Sequence, residues 1–301
     1  MSIKKDNYQQ VRKIAIIGAG VVGSATGKGL ISRGFNITFV DSNPRVVSDL
    51  RSSGFESTLP ENLDPLQIDV FFVSVPSYVG GDLEGLNYIR SSAESIGKWI
   101  HRKNDYSLVS IRSTILPGTT EQIIIPDIEK FSGKKAGHDF DVCVNPEYLR
   151  EKTAVTDFEN PWVVVIGENN KRSGDILEGI YHWVSCPIFR IPIIEAEMQK
   201  FLHNICNANK ISFFNEMRTA CIKLGIDSER IFPLVAKSAE SLWNPVYGIR
   251  NFGAFGGACL PKDSEAFLEF AREKLDLELK LLKAVLDVNS EIKAHNGVKT
   301  Y

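Results

Sequence analysis

Two glycine-bearing segments and a few polar residues carry the chemistry open to this sequence. Gly18-Ala-Gly20-Val21-Val22-Gly23 has GxGxxG spacing; it follows a short apolar run and precedes a helix-compatible stretch. In that context glycines let backbone N–H groups approach a pyrophosphate at a helix N-terminus. Asp41 lies about 20 residues further on, where a carboxylate accepts from both adenosine ribose hydroxyls and repels a 2′-phosphate, favouring NAD over NADP. The same fingerprint serves FAD, and the bland alternative is a turn that only packs helix on strand beside an exposed Asp41. The second segment is Phe255-Gly256-Gly-Ala-Cys259-Leu-Pro261-Lys-Asp263. Its small residues leave the backbone open to a substrate, and Pro261 suits the first turn of a helix, so Cys259 falls near a helix N-terminus where thiolate is favoured. Alone, a cysteine among small residues is more often an inert filler, and Asp263 equally fits a plain charge at a helix start.

Further polar groups follow apolar runs. Asn145-Pro-Glu147-Tyr148-Leu149-Arg-Glu151 falls at the carboxyl end of an expected strand, where ligands bind in open α/β sheets. If that segment is helical, Glu147 and Glu151 share a face. Lys200 and Asn204 have the same spacing on a long helix beside an apolar stripe, where a lone lysine commonly snorkels to the surface. Ser113-Thr114 also follows a strand, just before Pro117-Gly118. Together these supply a thiol, acids, an amine, an amide and a hydroxyl beside a dinucleotide site.

The elements that must position them read as follows. Apolar, β-rich runs at 13–17, 35–40, 69–75, 108–112, 140–144 and 162–166 are expected strands, separated by helical patterns at 24–33, 88–101 and 122–131. Strands alternating with helices imply a Rossmann-like, mostly parallel sheet covered on both faces. Near Pro192 the character changes. Residues 195–224 read as one long helix, with no proline or glycine before Gly225 and with Met198, Phe201, Leu202 and Ile205 at helical spacing. A short helix at 228–239, an irregular loop at 244–261 and a helical stretch from 263 onward follow. The expected division is an NAD-binding α/β domain over 1–192 and an all-α central domain over 193–301, built on the long helix.

Composition narrows the function classes. With 35 Lys and Arg against 37 Asp and Glu, the net charge of −2 offers no nucleic-acid footprint or membrane-surface patch. Apolar runs fall far short of the ~20 residues that span a bilayer, and residues 1–8 lack a signal-peptide pattern, so a cytoplasmic protein is expected. Five cysteines, widely spaced and without a CxxC pair, imply reduced thiols, and five dispersed histidines give no metal-ligand spacing.

In order and spacing, the glycine fingerprint, Ser113-Thr114-Ile-Leu-Pro-Gly118, the 145–151 segment, Ala196-Glu197-Met-Gln-Lys200, Lys210-Ile-Ser-Phe-Phe-Asn-Glu216 and Gly256-Gly-Ala-Cys-Leu-Pro-Lys-Asp263 resemble the UDP-glucose/GDP-mannose 6-dehydrogenases. The likeness runs from about Lys13 to Asn289. It implies oxidation of the C6 hydroxymethyl of a nucleotide sugar to a carboxylate with two NAD, through a thiohemiacetal and then a thioester on Cys259. By the same resemblance Lys200 and Asn204 stabilise the oxyanion, Thr114 and Asp263 hold the water acting in base catalysis, and Glu147 assists thioester hydrolysis. Cofactor contacts are implied for Gly18, Gly20, Val21, Val22, Gly23, Asp41, Thr114 and Glu151. Substrate contacts are implied for Glu147, Tyr148, Leu149, Lys200, Asn204 and Gly256.

Asn244-Pro-Val-Tyr247-Gly-Ile-Arg250 looks closer to the GDP-mannose branch and makes Tyr247 and Arg250 candidate substrate or phosphate contacts, a solvated loop arginine being the plain alternative. The family continues into a further α/β domain that this sequence does not contain, so a short form completed by a partner chain, or acting on a smaller substrate, is an expectation. A homodimer through the central helices is expected from the likeness and from surplus apolar residues such as Ile211, Phe213 and Phe214. Two other classes stay open: a two-electron 3-hydroxyacid-type dehydrogenase, which leaves Cys259 unexplained, and a non-catalytic NAD-binding protein.

Overall fold

The computed structural model describes residues 11, 13–77, 84–249, 253–257 and 259–296. In chain order it runs β1 (Ile14–Ile17), α1 (Val21–Ser32), β2 (Ile37–Val40), α2 (Pro44–Ser52), β3 (Ser57–Thr58), β4 (Val70–Val73), α3 (Glu84–His101), β5 (Ser107–Ile111), α4 (Ile125–Ser132), β6 (Phe140–Val144), α5 (Ala154–Glu159), β7 (Val164–Gly167), α6 (Lys171–Ile180) and β8 (Ile188–Ile191). Then come α7 (Ile193–Lys223), α8 (Ser228–Ser238), α9 (Glu240–Trp243), α10 (Leu260–Leu275) and α11 (Lys280–Asn296).

The strands form one sheet in the order β3-β2-β1-β4-β5-β6-β7-β8. Every pairing is parallel except β6 with β7, which meet antiparallel at Val144 and Gly167. The mostly parallel, Rossmann-like sheet expected from the alternating pattern is therefore present. All residues of β1, β4, β5 and β6 are buried, because helices cover both faces. The period of two sorts them: Ala15, Ile17, Phe71, Val73 and Val109 join Ile96 and Trp99 of α3 on one face. Ile14, Ile16, Val70, Phe72 and Leu108 join Leu30 of α1 and Leu177 of α6 on the other. From β1 the chain goes to β2 and β3 on one side and returns to β4 on the other. That reversal opens a crevice at the carboxyl ends of β1 and β4.

Where the structure departs from the sequence pattern, the reasons are local. β3 is only two residues long, and β8 is interrupted by Arg190, whose guanidinium pairs with Glu168, Asp175 and Glu178; neither strand shows as an apolar run. The stretch from 263 onward is two helices, broken at Asp276, which takes the left-handed conformation at φ 49°. No glycine or proline marks that break, and Asp is one of the few residues that tolerates the conformation. α7 begins two residues earlier than the pattern suggests, with Ala196 N–H donating to the Pro192 carbonyl. It ends at Gly225, whose φ of +68° stops the helix while Ile226 N–H donates back to the Cys221 carbonyl at 2.9 Å.

The chain divides into two compact units, Met1–His203 and Asn204–Tyr301, so α7 starts in one and continues into the other. In the second unit the rings of Phe214 and Phe232 lie 4.9 Å apart, and Arg218 ties α7 to the start of α8 through Ser228 and Glu229.

Candidate active site

The glycine fingerprint sits in the crevice between β1 and β4. Gly18 has φ +86°, and a Cβ there would lie 2.7 Å from the Ser74 carbonyl oxygen; one on Gly23 would lie 1.9 Å from the Gly18 carbonyl oxygen. Both positions exclude a side chain. Gly20 caps α1 with no side-chain hydrogen bond, and nothing stands within 4 Å of where its Cβ would be. The first-turn N–H groups of α1, those of Val21 and Val22 among them, therefore face open room, a cradle that fits a diphosphate. Asp41 closes β2 with its carboxylate held by two amides, Ala19 N–H on Oδ2 and Asn43 N–H on Oδ1, both at 2.8 Å. Each oxygen keeps a lone pair for a ribose hydroxyl. Glu151 opens a 3₁₀ turn (Glu151–Thr153) and lines a groove with Val21 and Lys28 of α1, on the same side as the cradle.

A second cluster gathers around the first turns of α7. Lys200 is 6% exposed, and its ammonium donates to the Glu147 carbonyl oxygen and, at 3.2 Å, to Glu147 Oε1. The snorkelling alternative for Lys200 does not hold, because the chain after β6 covers the amine. Tyr148 OH donates to Gln199 Oε1, and the Tyr148 ring lies 4.8 Å from the His203 ring. Burial pushes the Tyr148 phenol up to about 12. Burial, and then the Lys200 charge, push the His203 imidazole below its usual range.

Glu147 and Glu151 do not share a helical face. Residues 145–150 are irregular, since Pro146 disfavours helix at Asn145 and Glu147 Oε2 accepts from Leu149 N–H in a tight turn. Thr114 is half-buried after β5, and its neighbour Ser113 donates to the Val75 carbonyl at 2.6 Å.

Sequence reasoning gave no role to the groups that fix these two loops. Glu197, 1% exposed, accepts from Gly118 N–H, Thr120 N–H and Thr120 Oγ1 at 2.5, 2.9 and 2.6 Å. Arg112, directly before Ser113, donates to Asn145 Oδ1 and to Tyr181 OH, and Asn145 Nδ2 donates to the Val165 carbonyl at 2.8 Å. A charge at a buried helix position and an arginine ending an apolar strand were the available signals.

The remaining candidates lie in the second unit. Asn204 is exposed on α7. Cys259 is exposed at the N-cap of α10, its carbonyl accepting from Asp263 N–H at 2.9 Å, and Asp263 forms an exposed pair with Lys262. Gly256 is half-buried, and Tyr247 is exposed in a turn begun by Asn244. Arg250 lies outside the described residues. Among the described residues no three His, Cys, Asp or Glu side chains group to hold a metal ion, and no helix is long and apolar enough to cross a membrane.

A mostly parallel sheet with a glycine cradle at its switch point, and a buried amine paired with a half-buried acid at the same carboxyl edge, define a dinucleotide-dependent oxidoreductase. Residues 55–185 match the NAD binding domain of the UDP-glucose/GDP-mannose dehydrogenase family, and residues 194–291 match its central domain. The chain belongs to that family, and its dinucleotide is NAD. GDP-mannose 6-dehydrogenase of Pseudomonas syringae pv. tomato is 36% identical over 92% of this chain and 68% of its own length. UDP-glucose 6-dehydrogenase AglM of Haloferax volcanii is 32% identical over 92% of this chain and 69% of its own. The crystal structure of a ternary complex of GDP-mannose dehydrogenase from Pseudomonas aeruginosa superposes with a TM-score of 0.86 at 35% identity, over 93% of this chain and 69% of that one. Residues 13–90 also match a model described as NADP oxidoreductase coenzyme F420-dependent, a match confined to the first strands around the fingerprint.

Proposed function

We propose that the protein oxidises the C6 primary alcohol of a nucleotide sugar to the carboxylate, with GDP-mannose the first substrate to test and UDP-glucose the second. The observation that carries the reading is the Lys200–Glu147 pair, a buried amine on a half-buried acid, at the same carboxyl edge of the sheet as the NAD cradle. The relatives named for GDP-mannose are 35–36% identical and those named for UDP-glucose 27–32%, which sets the order of substrates.

The 18–23 turn and Asp41, with Glu151 at their side, would hold NAD, which when bound would supply a hydride acceptor, two electrons with one proton, for each of the two oxidations. Water held by Thr114 and Asp263 accepts the alcohol proton in the first. The sulfur of Cys259 then adds to the aldehyde carbon while the thiol proton passes to the former carbonyl oxygen, giving a thiohemiacetal; loss of a hydride to a second NAD and of the hydroxyl proton to water would leave a thioester. Two of the three N–H groups of Lys200 are committed to Glu147, and the third donates to the developing oxyanion, together with the Asn204 amide. Glu147 assists the water that releases acid and free thiol. Tyr148, Leu149, Gly256, Tyr247 and Arg250 contact the substrate.

Functionally the chain divides at 192/193 into cofactor and catalytic domains. We also propose a homodimer through α7, since Ile211 and Phe213 stand exposed on it, and a cytoplasmic setting that keeps the five free thiols reduced.

The test is Cys259→Ala in the 301-residue protein, with NADH counted per substrate consumed. Wild type yields two NADH per sugar. The variant loses acid formation by about a thousandfold or more while its NAD affinity stays within about twofold. Acid formation surviving in the variant sinks the covalent mechanism, and one NADH per substrate in wild type moves the protein to a two-electron dehydrogenase.

A further inference from the structure

A glycine-rich segment has few side chains of its own to hold it in place, so the loop that leads to Cys259 needs an external grip. The structure provides one from α11. Phe255 N–H donates to Asn289 Oδ1 at 2.7 Å, and Asn289 Nδ2 donates to the Phe255 carbonyl at 3.1 Å. One side-chain amide thus pairs with both backbone polar groups of a residue 34 positions away, as a neighbouring strand would. Next to this pairing Ala254 is 1% exposed, so the loop is pinned at its start, before Gly256 and Gly257. Gly257 takes φ +78°, a conformation that favours glycine.

α11 is itself fixed where it begins. The carboxylate of Glu216, on α7, accepts from Leu281 N–H at 2.7 Å and Leu282 N–H at 3.0 Å. These are first-turn amides with no partner inside their own helix, and a carboxylate there also meets the positive end of the helix dipole. Glu216 and Asn289 therefore grip the same helix some 12 Å apart along its axis, at ~1.5 Å rise per residue. α11 acts as a strut between α7 and the cysteine loop.

We infer that Asn289 is a positioning residue for Cys259 and that Glu216 anchors the helix from which it acts. The inference rests on Cys259 being the nucleophile only for its functional meaning; the mechanical link is testable without turnover.

The experiment uses the full chain and two readouts by mass spectrometry: backbone hydrogen exchange, and the rates at which iodoacetamide alkylates Cys259 and Cys206, the latter an exposed thiol on α7 that serves as internal reference. Asn289→Leu keeps the branched outline and the heavy-atom count of the side chain and removes both bonds; Asn289→Asp keeps the acceptor and removes the donor, a milder change that guards against misfolding. In Asn289→Leu the peptide covering 253–259 is expected to exchange at least about tenfold faster, with α7 peptides unchanged. The ratio of Cys259 to Cys206 alkylation rates shifts at least about threefold, with Asn289→Asp between wild type and Asn289→Leu. Glu216→Gln shifts the ratio in the same direction by less.

A ratio that stays at the wild-type value in the Leu and Asp variants overturns the inference. So does an equal change at both thiols with faster exchange throughout 204–296, which marks general loosening. Failure of the Cys259 mechanism reads out separately, as acid formation surviving in Cys259→Ala.

Discussion

Each of the two units of this chain keeps its own shape by a different means. In the first, six strands are buried over their whole length, and aliphatic and aromatic side chains fill both sides of the sheet. In the second, the buried apolar residues among those described are small or few: Ala220, Cys221, Ala254, Ala271 and Leu279. Large ones such as Ile211, Ile222, Leu234 and Trp243 stand exposed. There the shape is fixed by side chains gripping backbone, as Glu216 grips the start of α11 and Asn289 grips Phe255. Burial is non-directional and sets a rigid frame, whereas a hydrogen bond is directional and sets a position. The NAD cradle and the Lys200–Glu147 pair belong to the frame, and the cysteine loop belongs to the part placed by single bonds.

This contrast can be broken most directly in the core. Phe71 is fully buried and stacked on Trp99 at 5.7 Å between ring centroids. Phe71→Ala is expected to cost about 3–5 kcal/mol. Phe213→Ala, at an exposed ring on α7, costs about 0.5 kcal/mol or less in the monomer and instead weakens the proposed dimer. Urea unfolding and light scattering of the two variants check both. Equal losses would mean that the second unit has a core of the same kind.

A somewhat smaller effect separates two residues four positions apart on α7. Lys200→Ala removes the buried ammonium from Glu147 and is expected to lower both Tm and kcat, the latter by about 10²–10³-fold. Asn204→Ala, at an exposed position, lowers kcat by a smaller factor and leaves Tm unchanged. A Tm loss as large in Asn204→Ala would erase the distinction between frame and placed parts.

The smallest effect concerns acid. The Arg150 guanidinium, bonded to Asp157 at 2.6 and 3.0 Å, together with Arg150 N–H, holds the Asp157 carboxyl well below the usual carboxylate range against the opposing effect of burial. A depressed native value means that the pair stabilises fully above the unfolded value of about 3.9 and that the contribution fades as pH falls below it. Wild type is therefore expected to exceed Asp157→Asn in denaturant midpoint at pH 7, with the gap closing below about pH 4. In the second unit the exposed Lys262–Asp263 pair is a surface ion pair worth little, and Asp263→Asn leaves the denaturant midpoint at pH 7 nearly unchanged. A gap for Asp157 that stays constant with pH would remove the pair from the frame.

Much of the frame was legible because its signals are local. The runs Ile14-Ala-Ile-Ile17 and Val70-Phe-Phe-Val73 are too short and too β-rich for helices, and a GxGxxG turn directly after the first of them has one common structural context. β8 and the break at Asp276 were illegible: Arg190 hides the strand with a charge satisfied by three acids, and Asp276 turns the chain without glycine or proline. For the candidate site, residue types and spacing named Lys200 and Glu147 separately, with Glu147 tied to a helical partner that the structure replaces by Lys200, 53 residues away.

The sequence by itself determined the class of fold, the cradle and its preference for NAD, and the family, because periodicity, glycine spacing and motif order are properties of neighbouring residues. Only the tertiary structure decided that Lys200 is buried, that Glu197 and Arg112 hold the loops beside it, and that Asn289 grips the cysteine loop. Burial and pairing between distant segments depend on where the folded backbone brings them, and no local pattern encodes a bond across 34 or 79 residues.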